Sequence, residues 1–310
     1  MQLLRGRTTV MRQLAISSDC RYLVAGASTC HVWDLRDPKP RPRAVPTGEH
    51  GNWGLDVRFF NATQLFVRAA QPPGWYRHDI ETGATTDLMQ PLSLSRDNVC
   101  LHPSGELLKA SSWLDSGSPN QIASYRVQHG RLNTIVTDMR RSMIERVFGF
   151  TPTGEHYLAQ ADLNDDPARK HHLFDTATDA VVATFERPRG YYTHHGGEWC
   201  FSPDGQQLFV AVNQRLFRYD CSSGGPVKAS ARLQQHETSS NTPIAAHPDG
   251  RLLATVEDGR AVTFRDADTL EVLRTYDFAM PTVTCVAFTP DGTRCVIGNS
   301  RGKVLLFDVE

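Results

Sequence analysis

The sequence comprises 310 residues, of which 40% are hydrophobic and 22% are charged, a composition that excludes a collagen-like protein, a coiled coil and a disordered chain. Because 33 Lys and Arg residues balance 34 Asp and Glu residues, the net charge of −1 gives no overall attraction to nucleic acid or to an anionic membrane. No apolar run is long enough to span a bilayer, and charges interrupt the N-terminal stretch, so we expect a cytoplasmic protein without a signal peptide.

An eleven-residue phrase recurs along the chain. Two worn copies come first, ISSDCRYLVAG (16–26) and FFNATQLFVRA (59–69). Five clearer copies follow: LHPSGELLKAS (101–111), FTPTGEHYLAQ (150–160), FSPDGQQLFVA (201–211), AHPDGRLLATV (246–256) and FTPDGTRCVIG (288–298). The steps between successive copies, 43, 42, 49, 51, 45 and 42 residues, are the periods of a repeat architecture.

Each copy reads as a strand, a tight turn and a second strand. In Pro-Asp-Gly the proline presets φ and the glycine accepts the positive φ that closes the turn, while the flanking apolar runs have strand length. An aspartate follows most copies at a similar distance and marks the end of a third strand. The pairs are Trp33-Asp34, His78-Asp79, Phe174-Asp175, Tyr219-Asp220, Arg265-Asp266 and Phe307-Asp308, whereas the third copy reads Tyr125-Arg126.

On these turns, periods and aspartates the chain resembles the WD-repeat family. The resemblance implies an all-β fold, a seven-bladed β-propeller of four-stranded antiparallel blades, with residues 1–310 forming one domain. It also implies binding of other macromolecules and no shared active site. The chain departs from the family at the Gly-His that precedes the turn, where only His50 and His236 qualify. We therefore expect an incomplete buried polar network and blades held mainly by apolar packing.

The two ends of the chain predict how the ring closes. The last copy ends at Asp308-Val309-Glu310, just after its third strand, and surplus sequence precedes the first copy. We expect residues 2–7 to supply the fourth, outer strand of the last blade.

Blades numbered a to d from the axis outward place all b–c and d–a connections on one face. The chain is least regular there, and we expect the stretch 69–75 to be one such loop. Aromatic residues and arginines are enriched at protein interfaces, so we predict a partner-binding surface. Its residues are Trp53, Trp75, Trp113, Arg140, Arg141, Arg187, Arg189, Tyr191, Tyr192, His194 and His195. The alternative is that these tryptophans cap blade cores and the arginines solvate loops.

Signals for a metal or a catalytic group are weak. Adjacent strand residues point to opposite faces, so His171-His172 cannot chelate one ion from a regular strand. Pro167 replaces the glycine that a calcium loop starting at Asp162 requires. The seven cysteines form no Cys-x-x-Cys pair, which favours buried free thiols. We predict no catalytic residue, no metal and no cofactor.

These observations favour a non-catalytic scaffold or adaptor that docks a protein partner on its b–c/d–a face. The alternative is a lactonase-like propeller hydrolase with an axial site, which the sequence supports only by analogy. We expect a protein partner, no membrane, no nucleic acid and a monomer when the protein is alone.

Overall fold

The computed structural model describes most of the chain. The described residues are 1–5, 10–11, 13–26, 29–45, 57–70, 73–88, 99–112, 121–128, 131–136, 143–162, 170–185, 198–212, 215–222, 229–232 and 242–309. Within these ranges no helix is long and apolar enough to cross a membrane.

The strands form seven four-stranded antiparallel sheets, the blades of a propeller. The first strand, β1, spans Gln2–Arg5. Blade one contains β2 (Gln13–Ile16), β3 (Tyr22–Gly26), β4 (Cys30–Asp34) and β5 (Arg43–Val45). Blade two contains β6 (Val57–Phe59), β7 (Gln64–Ala70), β8 (Pro73–Asp79) and β9 (Thr85–Asp87). Blade three contains β10 (Val99–Leu101), β11 (Leu107–Ser112), β12 (Gln121–Gln128) and β13 (Arg131–Val136).

The remaining blades follow the same order. Blade four contains β14 (Met143–Phe150), β15 (His156–Asp162), β16 (His171–Asp175) and β17 (Val181–Phe185). Blade five contains β18 (Glu198–Phe201), β19 (Gln207–Val212), β20 (Arg215–Asp220) and β21 (Ala229–Arg232). Blade six contains β22 (Ile244–Ala246), β23 (Leu252–Glu257), β24 (Ala261–Asp266) and β25 (Val272–Asp277). Blade seven contains β26 (Val283–Phe288), β27 (Arg294–Asn299) and β28 (Lys303–Asp308).

The N-terminal strand closes the ring, as the sequence predicted. β1 pairs with β28 in an antiparallel register that sets Gln2 opposite Leu306 and Arg5 opposite Lys303. The chain then enters blade one, where the Met11 N–H donates to the Asn299 carbonyl of blade seven at 3.0 Å. Blade seven is therefore built from both ends of the chain, and the first and last repeats are joined by backbone hydrogen bonds.

The Pro-Asp-Gly turns have the backbone geometry that the sequence predicted. Gly105, Gly154, Gly205, Gly250 and Gly292 have φ between 72° and 79°, and Cys20 takes the corresponding place in the worn first copy with φ 58°. Gly154 also lies against the preceding blade, because a methyl group there would come within 2.0 Å of His102 Nε2. This histidine ring contacts the Gly154 carbonyl at 3.0 Å, so turns of adjacent blades touch directly.

Aspartates cap both the a–b turns and the turns that follow the third strands. At the end of β8, Asp79 accepts hydrogen bonds from the backbone N–H groups of Glu81 and Thr82 at 3.1 and 2.8 Å. Backbone donors hold the pKa of Asp79 and Asp266 below the ordinary value, and hydroxyl donors do so for Asp19, Asp175, Asp204 and Asp291. The aspartates that end the third strands thus hold the turns that follow them in five blades, by accepting backbone hydrogen bonds at Asp34, Asp79, Asp175, Asp220 and Asp266.

We expect acid to unfold the protein by protonating these capping aspartates. A carboxyl whose pKa is lower in the folded than in the unfolded chain stabilises the fold above the unfolded pKa of about 3.9 and loses that contribution as the pH falls further. We expect urea unfolding midpoints to drop steeply below about pH 4. The Asp266→Asn variant keeps an acceptor oxygen but cannot titrate, so its midpoint should fall less steeply. If the urea midpoint of this variant fell equally steeply with pH, Asp266 would not be one of the groups that cause the acid unfolding.

Seven apolar clusters of described residues hold the ring together, each between two neighbouring blades. Between blades one and two, for example, Val24 and Val32 pack against Val57 and Leu65, all within 2% of complete burial. Trp33 is fully buried, and its Nε1 has no hydrogen-bond partner among the described residues. Apolar packing therefore carries blade cohesion, and at Trp33 the polar network of the family is incomplete.

The sequence misplaced one connection, that of blade two. The stretch 69–75 is not an open loop, because β7 continues to Ala70 and β8 begins at Pro73 directly opposite. In blade three, which lacks the aspartate, β12 runs through Tyr125 to Gln128 and turns within two residues into β13. Strand pairing provides hydrogen-bond partners for more backbone N–H and C=O groups than an open loop would, so both hairpins pair up to their turn residues.

All seven cysteines are free, and five of them are buried. Burial raises the pKa of the Cys30 and Cys295 thiols, and it raises the pKa of Cys221 to about 12. The thiolate is the nucleophile and the metal ligand, so these buried cysteines are inert core residues, as the sequence suggested.

Candidate functional site

The strand ends define the face on which the irregular connections begin and end. The first strands of neighbouring blades lie side by side around the axis, so each second strand ends, and each third strand begins, on one face of the ring. The fourth strands end on the same face. The flanking strand ends are Val45 and Val57, Ser112 and Gln121, Val136 and Met143, and Phe185 and Glu198.

Most of the predicted partner-binding residues belong to the connections between these strand ends. They lie outside the described residues: Trp53, Trp113, Arg140, Arg141, Arg187, Arg189, Tyr191, Tyr192, His194 and His195. The sequence assigns them to the b–c connection of blade three and to the d–a connections that enter blades two, four and five.

Trp75 is the predicted site residue that the structure describes, and it lies in a blade core. Its side chain is 6% exposed in β8 and stacks on Phe66 with ring centroids 4.6 Å apart. The pair packs against Leu101 and Leu108 of blade three. The position of Trp75 therefore corresponds to the packing alternative, and its ring offers little area to a partner.

Trp199 also packs between blades. It starts blade five in β18 and lies over Gly149 of blade four, where a methyl group would come within 2.5 Å of the indole. Phe148 and Phe201 complete this contact, with ring centroids 6.3 and 5.7 Å from Trp199. Together with Trp33 between blades seven and one, tryptophan therefore packs at three junctions of the ring.

The histidine pair at His171 and His172 lies in the regular strand β16, as the opposite-face argument requires. His171 packs edge-on against Phe148 at 4.9 Å, while His172 Nδ1 lies 3.0 Å from the Thr184 hydroxyl on β17. Both rings are buried. Among the residues that the structure describes, no group of three or more His, Cys, Asp or Glu side chains is placed to hold a metal ion.

Sequence reasoning missed a set of cationic side chains at the b–c turns of blades six and seven. Arg260 follows β23, and Arg301 and Lys303 follow β27; both arginines are exposed and the lysine is partly exposed. Their signal is faint, because each turn is short and carries only one or two basic residues. We call Arg260, Arg301 and Lys303 the basic corner.

The opposite face, formed by the a–b and c–d turns, carries ion pairs between blades. Arg21 of blade one contacts Glu81 of blade two at 2.7 Å, and Arg218 of blade five contacts Asp268 of blade six at the same distance. The side chains of Asp268 and Glu81 are 80% and 49% exposed, so solvent screens both pairs.

A third pair on that face is different because its cation is buried. Lys109 of blade three is 1% exposed, and its ammonium group pairs with Asp179 of blade four. The same ammonium lies 4.4 Å from the centroid of the Tyr157 ring, and the Tyr157 hydroxyl donates to Asp179 at 2.9 Å. Burial, with the nearby Asp179 charge, raises the pKa of Tyr157. Lys109, Asp179 and Tyr157 therefore join blades three and four, and we call them the clasp.

Comparisons with known proteins agree with this architecture. Residues 271–308 match the WD40 family model, described as WD domain, G-beta repeat. A search of curated proteins found no matching sequence. Among solved structures, the chain is similar to the β-propeller domain of Cps50 (Swd1) from Myceliophteria thermophila, with 13% identity, coverage of 99% of each chain and a TM-score of 0.69. The last repeat carries the family's sequence pattern, and the seven blades have the fold of a WD-repeat β-propeller.

Proposed function

We propose that the protein is a non-catalytic scaffold that docks a protein partner on the face bearing the b–c and d–a connections. The observation that carries this proposal is the arrangement of strand ends, which gathers stretches distant in sequence at one face. The family match supports protein binding in general. The buried clusters between blades make the ring a rigid support, and binding loops on a rigid scaffold are a common route to specific recognition.

The long connections around blades three to five supply the residues of the proposed face. They carry Trp113, Arg140, Arg141, Arg187, Arg189, Tyr191 and Tyr192. Arginine and aromatic side chains cover much apolar area and still offer a directed polar group, which is why they dominate interface energetics. Trp75 and Trp199 are left out of the proposed contact surface, because both pack between blades.

Replacing Trp113, Arg140 and Tyr192 together with alanine should abolish capture of the partner while leaving the melting temperature almost unchanged. The partner is first identified by affinity purification of the intact protein from its own cells and mass spectrometry of what co-elutes. A control variant carries Arg36→Ala and Arg251→Ala, two exposed arginines on the opposite face.

Two outcomes would contradict the proposal. The first is retained capture by the triple variant, and loss of capture in the control would in addition assign the partner to the a–b/c–d face. The second is a bound divalent ion in the purified protein together with turnover in a hydrolase screen, which would favour the hydrolase alternative.

A further inference from the structure

The basic corner is a compact feature at the junction of blades six and seven. The Gly259 carbonyl, next to Arg260, accepts a hydrogen bond from Val283 N at 2.6 Å. The Thr282 carbonyl accepts one from Ser300 N at 2.8 Å, next to Arg301. The exposed Thr282 thus lies between the b–c turns of both blades, with an exposed arginine one residue away from each contact.

The charges of the basic corner are not neutralised within the described part of the chain. Arg260, Arg301 and Lys303 form no ion pair with any described residue. The exposed acidic residues at the same ends of these strands are Asp258 and Asp277, so cationic positions outnumber acidic ones.

The other end of the same two blades has the opposite balance. Its exposed acidic residues are Asp249, Asp268, Glu271, Asp291 and Asp308, against the exposed Arg251 and Arg294. An anionic partner is therefore repelled from the a–b/c–d turns and attracted to the basic corner. Charge complementarity of this kind fixes which face a partner approaches and speeds its association.

Two classes of macromolecule are anionic, and the neighbouring aromatic residues distinguish them. Binding of single-stranded nucleic acid relies on aromatic rings with a free face for base stacking. The aromatic side chain nearest to Thr282 along the chain, Phe278, already stacks with Tyr276 and contacts Phe307, the latter with ring centroids 4.5 Å apart. No open stacking ring accompanies the described cations, which favours a polypeptide.

We propose that the basic corner binds an acidic segment of the protein partner, through its carboxylates. This proposal rests on the proposed function, because it assigns the chemistry of a partner segment to one part of the same face. Arg260 and Arg301 contact the segment from adjacent blades, and Lys303 lies behind Arg301 on β28.

The test uses the intact protein and a fluorescein-labelled octaglutamate peptide, followed by fluorescence anisotropy. We expect saturable binding that weakens as ionic strength rises and that falls about tenfold in the Arg260→Gln/Arg301→Gln variant. The matched control is Arg251→Gln/Arg294→Gln, which removes two arginines from the opposite face of the same blades. The peptide should raise the unfolding temperature of the wild type and of the control, but not that of the corner variant.

The results separate this inference from the proposed function. An equal loss of octaglutamate binding in both double variants would show that only the net charge of the protein matters, and it would overturn the inference. Tighter binding of a single-stranded oligonucleotide of equal charge would overturn it too. No binding of octaglutamate by the wild type would overturn it as well. If the Arg260→Gln/Arg301→Gln variant still captures the partner and the Trp113, Arg140 and Tyr192 variant does not, the scaffold function is supported. Only the proposal for the basic corner is then contradicted.

Discussion

Deleting residues 1–5 is expected to lower the unfolding temperature by about 10 °C or more, because it removes the strand that joins the two ends of the ring. β1 contributes a complete antiparallel edge to β28, and its Leu4 is 2% exposed in the cluster between blades seven and one. Without this strand, the cluster that contains Trp33 and Leu306 is opened to solvent. Differential scanning calorimetry of the truncated and full-length proteins measures the effect.

Two point variants measure how much of the stabilisation by β1 comes from the packing of its buried side chain. Leu4→Ala should cost about 2 to 5 kcal/mol of unfolding free energy, as buried leucine truncations do. The neighbouring Leu3 is 46% exposed, so Leu3→Ala should cost much less. Equal effects at the two positions, or a truncated protein that melts like the intact one, would show that β1 does not close the ring energetically.

The clasp between blades three and four gives the second large effect. Asp179→Asn leaves the Lys109 ammonium, which is 1% exposed, without its counter-charge. Because the Asp179 side chain is itself 53% exposed, we expect a cost of about 1 to 3 kcal/mol, below that of a fully buried pair. Asparagine tolerates the positive φ of 55° at this position, so backbone strain does not add to the change. Lys109→Met removes the buried charge and keeps the stem, and it should therefore cost less than Asp179→Asn.

Urea unfolding of the two single variants and of the double variant completes the cycle. We expect the double variant to be more stable than Asp179→Asn alone, because the orphaned cation is then absent. The control cycle uses Arg218→Met and Asp268→Asn, an inter-blade pair whose acid is 80% exposed and whose coupling should stay below about 1 kcal/mol. Additive effects in the first cycle would mean that Lys109 and Asp179 do not act as a pair.

Local patterns in the sequence were sufficient for the architecture. The recurrent turn phrase sets φ at its glycine, and the aspartate that follows at a similar distance caps the next turn, as Gly250 and Asp266 do within blade six. Even the closing strand followed from counting strands in the last repeat. The turns and their aspartate caps depend on hydrogen bonds between residues close in sequence, which is why residue type and spacing predict them.

The sequence could not decide the destinations of individual side chains. Trp75 was assigned to a docking face and lies in the blade core, because β7 and β8 pair as far as Ala70 and Pro73 and turn its ring toward blade three. The basic corner was missed for the same reason: Arg260 and Arg301 belong to different repeats, and only ring geometry sets their turns on either side of Thr282.

The sequence by itself determined the number of repeats, their four strands and their closure, since each depends on residues that recur at fixed spacing. Only the tertiary structure decided which blades are joined by charge. Lys109 and Asp179 are 70 residues apart and share no motif, yet adjacent blades bring them into contact beside the Tyr157 ring. A buried lysine is stable where a counter-charge is already in place, and the packing of one blade on the next supplies it.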